Sequence, residues 1–411
     1  MTEHFDSLET RTPATRDQAV FTQLPSYIEH AIKHTSHYRE HFKGVDPEAI
    51  RSRDALASLP LTRKADLIGL QQAQPPLGGL AAAQLSAMVR LFQSPGPIYE
   101  PQGEVGDHWR MARALFAAGV RAGELVHVGF SYHLTPGGWM ADAAARALGC
   151  AVFPAGTGNT ELQLAAMQQL QPTAYCGTPS LLKILIDKAI ALKQKRLSVR
   201  HALVSGEACP AGLKAWFAEH GVAVFECYAT AELGLIAYET IAREGLVVDE
   251  GVLLELVDPH TGQPVPPGET GEVAVTLFNP VYPLIRFATG DLSASLPGVS
   301  PCGRTNMRIK GWLGRADQTV KVRGMFVYPQ QVAQVVARHQ EITRARLVVL
   351  RHQHLDELSI HCETIYPSDE LAQRVTNSVR DVCKLRADVV FSQPGALPDD
   401  GRLIDDQRHL H

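Results

Sequence analysis

The sequence predicts an α/β protein. A large N-terminal domain of helix-covered, mostly parallel sheets with a small β subdomain is followed by a small mobile C-terminal α+β domain. Three observations predict this. Short apolar runs alternate with helical ones from about Glu124 onward. Residues 245–300 turn rich in Gly and Pro with alternating apolar positions. A separate strand–helix pattern begins after Arg315. The 411 residues are enough for two or three cores. We expect an N-terminal domain over 1–315 and a C-terminal lid over 316–411.

Taken in order, the stretch from Leu24-Pro25-Ser26-Tyr27-Ile28 to Phe42 reads as an amphipathic helix. Leu59–Leu67 opens another, with Thr62 as its N-cap. Leu125–Phe130 suits a buried strand and Pro136–Leu148 an Ala-rich helix. Strands at Ala151–Phe153, Ala174–Cys176, His201–Val204 and Ala223–Cys227 then alternate with helices at Glu161–Leu170, Pro179–Lys193 and Ala211–His220. That repetition argues for a parallel sheet covered on both faces. Ligands of open α/β sheets bind beyond the C-terminal strand ends. Ser205-Gly206-Glu207 and Tyr228–Glu232 each follow a strand, so both fall where a ligand belongs. In the β subdomain, turns are expected at Asp258–Gly262 and Pro266-Pro267-Gly268. The last domain reads as a strand at Val320–Val322, a helix opened by Pro329 with Val332, Val335 and Val336 on one face, a hairpin of Arg346–Arg351 and Glu357–Thr364, a helix from Ser368 to about Lys384, and a strand at Val389–Ser392.

Composition narrows the function classes. Apolar residues make up 45% and charged residues 20%, as in globular soluble chains. A formal charge of −4 gives no whole-chain reason to expect nucleic acid or an anionic membrane as partner. The opening Met1-Thr2-Glu3-His4-Phe5-Asp6 has neither a basic start nor an apolar run, so no signal peptide is expected. Seven scattered cysteines without a C-x-x-C pair read as reduced thiols of a cytoplasmic protein. Only one of them, Cys302, lies in the Ser300–Thr305 segment, and one thiolate cannot close a tetrahedral zinc site, so no structural zinc is expected.

Three short motifs carry the chemistry: Tyr228-Ala229-Thr230-Ala231-Glu232-Leu233-Gly234, then Arg286-Phe287-Ala288-Thr289-Gly290-Asp291-Leu292, then Gly314-Arg315-Ala316-Asp317 running on to Lys321-Val322-Arg323-Gly324. In this order and spacing they resemble the adenylate-forming (AMP-binding) superfamily, and within it the phenylacetate–coenzyme A ligase branch. The resemblance covers about Leu24 to Arg408. It implies activation of a carboxylic acid with MgATP and transfer of the acyl group to coenzyme A; an aromatic acid is expected, and a homodimer is what the family implies. The carboxylate nucleophile is already ionised at neutral pH, so positioning and charge neutralisation do the catalysis rather than a general base. Glu232 is the candidate magnesium ligand, a single carboxylate beside phosphate oxygens. Asp291 is the candidate ribose binder, with Arg315 adding a ribose or phosphate contact and Tyr228 lying on the nucleotide side. Gly206 and Glu207 match the family's adenine-side Gly-Glu. Asp317 is the expected hinge. Gly324 sits where relatives let pantetheine pass close to backbone, which only a residue without a side chain permits. Tyr132 and His133 follow a strand and are weaker candidates for an acyl pocket; an ordinary loop histidine is the simpler reading of His133.

Two segments depart from the family. Relatives cradle the triphosphate with a Ser/Thr/Gly-rich loop carrying a lysine, a nest of backbone N–H groups. Here the matching stretch is Phe92-Gln93-Ser94-Pro95-Gly96-Pro97-Ile98-Tyr99-Glu100-Pro101. Its prolines lack N–H donors, it has no lysine, and Glu100 would repel a phosphate if it faced the site. Near the C-terminus the family's adenylation lysine follows a glycine; here Gly401 is followed by Arg402, bulkier and planar. Arg402 is the candidate catalytic cation. Two alternatives stay open: a non-catalytic member that binds AMP, acyl-adenylate or an acyl thioester, and an adenylating enzyme whose acceptor is a carrier protein or an amine.

Overall fold

The computed structural model describes residues 4–94, 97–103, 106–318, 320–322, 325–352 and 355–408. The chain divides into two compact units, one of residues 1–289 and 294–311, the other of residues 290–293 and 312–411.

In the first unit, α1 (Pro13–His34) opens with Pro13 inside the first turn and the Thr12 side chain accepting from the Thr15 amide. Its buried Val20, Leu24, Ile28 and Ala31 recur every three or four residues and face the core. The helix therefore begins before Leu24, and Pro25 lies inside it. Burial of Leu24 and Ile28, worth about 1.5–3 kcal/mol each, holds the turn that a proline weakens. At Thr35 the chain breaks, and its side chain caps α2 (Ser36–His41) by accepting from Tyr38 N. The expected single helix to Phe42 is thus two.

After α3 (Arg53–Ala57) comes β1 (Thr62–Arg63), which pairs parallel with a distant strand, Thr62 opposite Phe287. Thr62 is not a helix cap: its hydroxyl donates to the buried Tyr38 hydroxyl at 3.2 Å, and α4 (Leu67–Ala73) starts without a side-chain cap. Strands β2 (Arg90–Ser94) and β3 (Ile98–Gln102) form a separate antiparallel ribbon. Then follow α5 (Ala112–Ala117), β4 (Leu125–Val128), α6 (Gly137–Ala147), β5 (Ala151–Phe153), α7 (Thr160–Leu170), β6 (Ala174–Gly177), α8 (Pro179–Ala191), β7 (His201–Val204), α9 (Ala211–Glu219) and β8 (Ala223–Thr230). The order β5-β4-β6-β7-β8 is parallel throughout. One face packs Val126, Val128 and Leu203 with the alanines of α6. The other packs Tyr175, Ala202, Val204 and Val224 with Leu164, Leu182, Leu185 and Phe217.

The sheet continues antiparallel through β9 (Gly234–Glu239), β10 (Leu246–Val248), β11 (Val252–Val257), β12 (Thr270–Leu277), β13 (Leu284–Leu296) and β14 (Arg308–Ile309), in the order β8-β9-β10-β14-β13-β12-β11. Arg286 on β13 is 1% exposed with φ +46°. It pairs with Glu255 at 3.0 Å and donates to the carbonyls of Ala57, Leu59 and Gly262. Burial lifts the Glu255 carboxyl, and Arg286 partly offsets this. The first residue of the second motif is therefore an anchor of the strand that carries Thr289-Gly290-Asp291.

The second unit holds β15 (Gly314–Arg315), which pairs with β13 at Asp291 and Leu292, and the hairpin β16 (Val320–Val322) and β17 (Met325–Val327). These precede α10 (Pro329–Ala337), β18 (Arg344–His352), β19 (Leu355–Glu363), α11 (Asp369–Cys383), β20 (Asp388–Ser392) and β21 (Ile404–Asp406). The sheet order is β20-β19-β18-β21. Val332, Val335, Leu371, Val375 and Val379 bury against Leu347, Val349, Leu358 and Ile360. All seven cysteines are unpaired thiols, and among the described residues no helix is long and apolar enough to cross a membrane.

Candidate functional site

The C-terminal ends of β7 and β8 form the first part of the site. Gly206 takes φ +81°, a left-handed conformation that favours glycine. Ser205 donates to the Cys227 carbonyl at 2.8 Å. Glu207 is partly committed elsewhere: its carboxylate accepts from Ser180 Oγ at 2.9 Å and Ser180 N at 3.3 Å, at the start of α8. Tyr228 and Thr230 do not lie in a strand-to-helix turn. They lie within β8, which folds straight back into β9 after a bulge at Tyr228/Ala229. The reversal is fixed by Gly234, φ +70°, where an added Cβ would meet the Trp109 backbone at 2.8 Å. Tyr228 donates to Thr289 Oγ1 at 3.3 Å, and Thr289 to the Val273 carbonyl at 3.1 Å, so the first motif and the start of Thr-Gly-Asp are linked.

A cleft of about 210 Å³ opens between these segments, lined by Met111, Phe130, Met140, Gly206, Ala229 and Ala231 among others, with no charged side chain in its wall among the described residues. Tyr132 and His133 do not line it. The Tyr132 carbonyl accepts from Trp139 Nε1 at 3.2 Å, and His133 is exposed. The cleft is instead bounded by Thr135-Pro136-Gly137, beyond Leu134.

Glu232 is fully buried at its side chain, and Lys64 Nζ stands 2.7 Å from its Oε1. The contact is close but not aligned as a hydrogen bond, so it is chiefly an ion pair. Pairing of β1 with β13 is what brings this lysine here. The β2–β3 ribbon supplies a second acid: Glu100, 2% exposed, accepts from Ser94 Oγ while its buried Oε2 has no hydrogen-bond partner among the described residues. Burial, and then the neighbouring Glu232, push its carboxyl up to about 8. Gln71 fixes the ribbon by bonding both the N–H and the carbonyl of Tyr99, each at 2.8 Å. The stretch expected to fail as a phosphate nest is therefore a β-ribbon that turns a carboxyl toward Glu232. Beside the carboxylate expected to ligate magnesium stands the ammonium of Lys64, on a side chain 27% exposed. Among the described residues no three His, Cys, Asp or Glu side chains come together as a metal cage.

The second unit brings Asp291 and Arg315 together. Asp291 lies opposite Arg315 in the β13–β15 register. Its Oδ1 accepts from Arg315 Nη1 at 3.3 Å and from Trp312 Nε1 at 3.1 Å. Gly290, φ +78°, leaves room for the guanidinium: an added Cβ would lie 2.7 Å from Arg315 Nη2. Asp317 belongs to a 3-10 turn, Ala316–Gln318. The neighbouring Gln318 accepts from Leu403 N at 2.9 Å and donates to the Gly401 carbonyl at 3.5 Å, tying this turn to the loop that carries the exposed Arg402. Gly324 lies outside the described residues. Lys64, Met111, Met140 and Trp312 escaped the sequence reading, since no local pattern marks them.

Comparison with known proteins fits this geometry. The family model for the AMP-binding enzyme matches residues 132–277, and that for the AMP-binding enzyme C-terminal domain matches residues 324–406. A phenylacetate–coenzyme A ligase of Thermus thermophilus is 30% identical over 391 residues, covering 86% of this chain and 87% of the relative. The chain belongs to the phenylacetate–coenzyme A ligase family of AMP-binding enzymes. Another member, from Aromatoleum evansii, is 29% identical across 95% of this chain and 94% of its own. Among solved structures, 2-hydroxyisobutyryl-CoA ligase in an open conformation with 2-HIB-AMP and CoA superposes with a TM-score of 0.86 at 26% identity, covering 98% of this chain and 94% of that one. The fold of that structure thus matches this chain over nearly its whole length.

Proposed function

We infer that the protein is an ATP-dependent acid–coenzyme A ligase. A carboxylate oxygen of the acid attacks the α-phosphorus of ATP and pyrophosphate leaves. The thiol of coenzyme A then attacks the acyl carbonyl, a proton is lost to solvent, and AMP departs. Relatives named phenylacetate–coenzyme A ligase, at 29–30% identity over most of both chains, support the class. The observation in the molecule that carries the reading is the uncharged cleft between Gly206 and Ala229–Ala231, at the strand ends where an α/β sheet binds its ligand. With no charge in its wall, the cleft suits an acid whose only charge is the reacting carboxylate. Phe130, Met111 and Met140 offer flat and polarisable walls that favour an aromatic tail.

In this reading Asp291 accepts the ribose hydroxyls and Arg315 adds a second contact. Gly206, Glu207 and Tyr228 flank the base, and Arg402 is the cation of the adenylation step. Asp317 is the hinge, and Gly324 marks the pantetheine path. Magnesium travels on the phosphates of ATP as part of the substrate. A second reading, a member that binds an adenylate without making it, is favoured by one feature: the second carboxyl, Glu100, which faces Glu232 where relatives keep their phosphate loop.

Incubation with ATP, coenzyme A and a panel of aryl and short branched acids separates the two, with thioesters followed by mass spectrometry. Acid-dependent AMP release with a thioester product is expected. Tight AMP binding with no product from any acid would overturn the ligase in favour of the binding protein.

A further inference from the structure

Trp312 stands just outside β15 and turns its indole back onto the strand opposite. Asp291 pairs with Arg315 and Leu292 with Gly314, and Leu313 N donates to the Leu292 carbonyl at 2.9 Å, so Trp312 lies beyond the last paired residue and its side chain reaches back along β13 to Asp291. The indole has a single polar atom, a donor, and it meets Asp291 Oδ1 at 3.1 Å. Arg315 meets the same oxygen at 3.3 Å. Two donors meeting on one oxygen hold the carboxylate by that oxygen. The arginine side chain is 37% exposed and screened by solvent. The indole adds direction without adding charge. The residue is 58% exposed, so it contributes little to the core.

We propose that Trp312 is a nucleotide-positioning residue, acting through Asp291: its N–H orients the carboxylate that receives the ribose hydroxyls, and its exposed ring senses whether that place is filled. This rests on the ribose-binding reading of Asp291 and adds a residue that the sequence motifs do not contain. Of the four tryptophans, Trp109 is buried and Trp139 and Trp216 are half-buried, so Trp312 is the most exposed fluorophore of its kind.

The test is direct binding of AMP, by calorimetry and by tryptophan emission, to the wild-type chain, Trp312→Phe and Trp312→His. Losing one hydrogen bond to a charged group predicts about a tenfold rise in Kd for Trp312→Phe. Turnover at saturating ATP should stay within about twofold, since the bond orients bound nucleotide and does not touch the reacting atoms. Histidine keeps a ring N–H and should recover part of the affinity, which also keeps the test open if phenylalanine weakens the fold. AMP should alter emission of the wild type and not of Trp312→Phe. Wild-type affinity in Trp312→Phe, or an AMP-induced emission change that survives there, overturns the inference alone. Failure of the wild type to bind AMP removes it together with the ligase reading.

Discussion

Replacing Gly290 with alanine perturbs the Asp291–Arg315 pair without altering either side chain. Gly290 sits at φ +78°, and an added Cβ would lie 2.7 Å from Arg315 Nη2 and 3.0 Å from its Cζ. Two costs follow. The left-handed backbone costs an L-residue about 1–2 kcal/mol. The clash itself is cheap to relieve, because the guanidinium is the far end of a flexible, 37% exposed side chain and can swing outward. Swinging breaks its contact with Asp291 and withdraws its charge from the nucleotide. Hydrogen bonds to charged groups contribute about 1.5–3 kcal/mol, and partial exposure puts this one at the low end, near a tenfold change in Kd. Urea unfolding should therefore show a loss of about 1–2 kcal/mol, and calorimetry about a tenfold weaker Kd for AMP. Arg315→Ala should reproduce the affinity loss without the stability loss. The double variant should bind no worse than either single one, because both remove the same contact. Wild-type AMP affinity in Gly290→Ala, or affinity losses that add in the double variant, would refute the reasoning.

Three further outcomes follow from the buried charges. Arg286→Met strands the Glu255 carboxylate in the core and should cost about 3–5 kcal/mol in urea unfolding; a loss below about 1 kcal/mol would show that the pair is not the anchor of β13. Lys64→Met removes the countercharge of the buried Glu232; the 27% exposure of the lysine side chain places the loss nearer about 2 kcal/mol, and adding Glu232→Gln should restore most of it, so a double variant as unstable as the single one contradicts the pairing. Glu100 has its carboxyl raised to about 8 by burial and by Glu232, against 4.5 ordinarily, so the folded state holds a proton that the unfolded chain releases. That stabilisation is complete below about pH 4.5 and is lost as pH rises through about 8. Glu100→Gln should therefore flatten the stability profile and raise Tm above wild type at pH 9, whereas parallel profiles would contradict the assignment.

The strand–helix alternation from Leu125 to Cys227 was legible because each element repeats its own period, and buried parallel strands read as short apolar runs between helices. The ends of elements were less so. Pro25 looked like a helix start because proline favours the first turn, yet packing of α1 carried it through the interior. The hairpin at Thr230–Gly234 was hidden because Glu232-Leu233-Gly234 has no strand alternation, and its reversal depends on the close approach of the Trp109 backbone. Local signals marked Asp291 and Arg315, each beside a glycine with a positive φ, and Gly206, which is such a glycine itself. Lys64 and Trp312 left no local signal. Lys64 reaches Glu232 only because β1 pairs with β13, and Trp312 reaches Asp291 only because β15 folds beside β13 and the indole turns back along it. The chemistry of Glu100 was half legible: its charge was visible in the sequence, but its burial against Glu232 is a product of the ribbon.

The central claim is that this chain makes an acyl-adenylate in spite of Glu100 and Arg402. Acid-dependent exchange of labelled pyrophosphate into ATP reads that step alone, before any acceptor is involved. The account predicts exchange with at least one acid of the aryl or short branched panel, lost in Asp291→Asn and retained with an Arg402→Lys control. Absence of exchange with every acid, in a protein that binds AMP tightly, would contradict it.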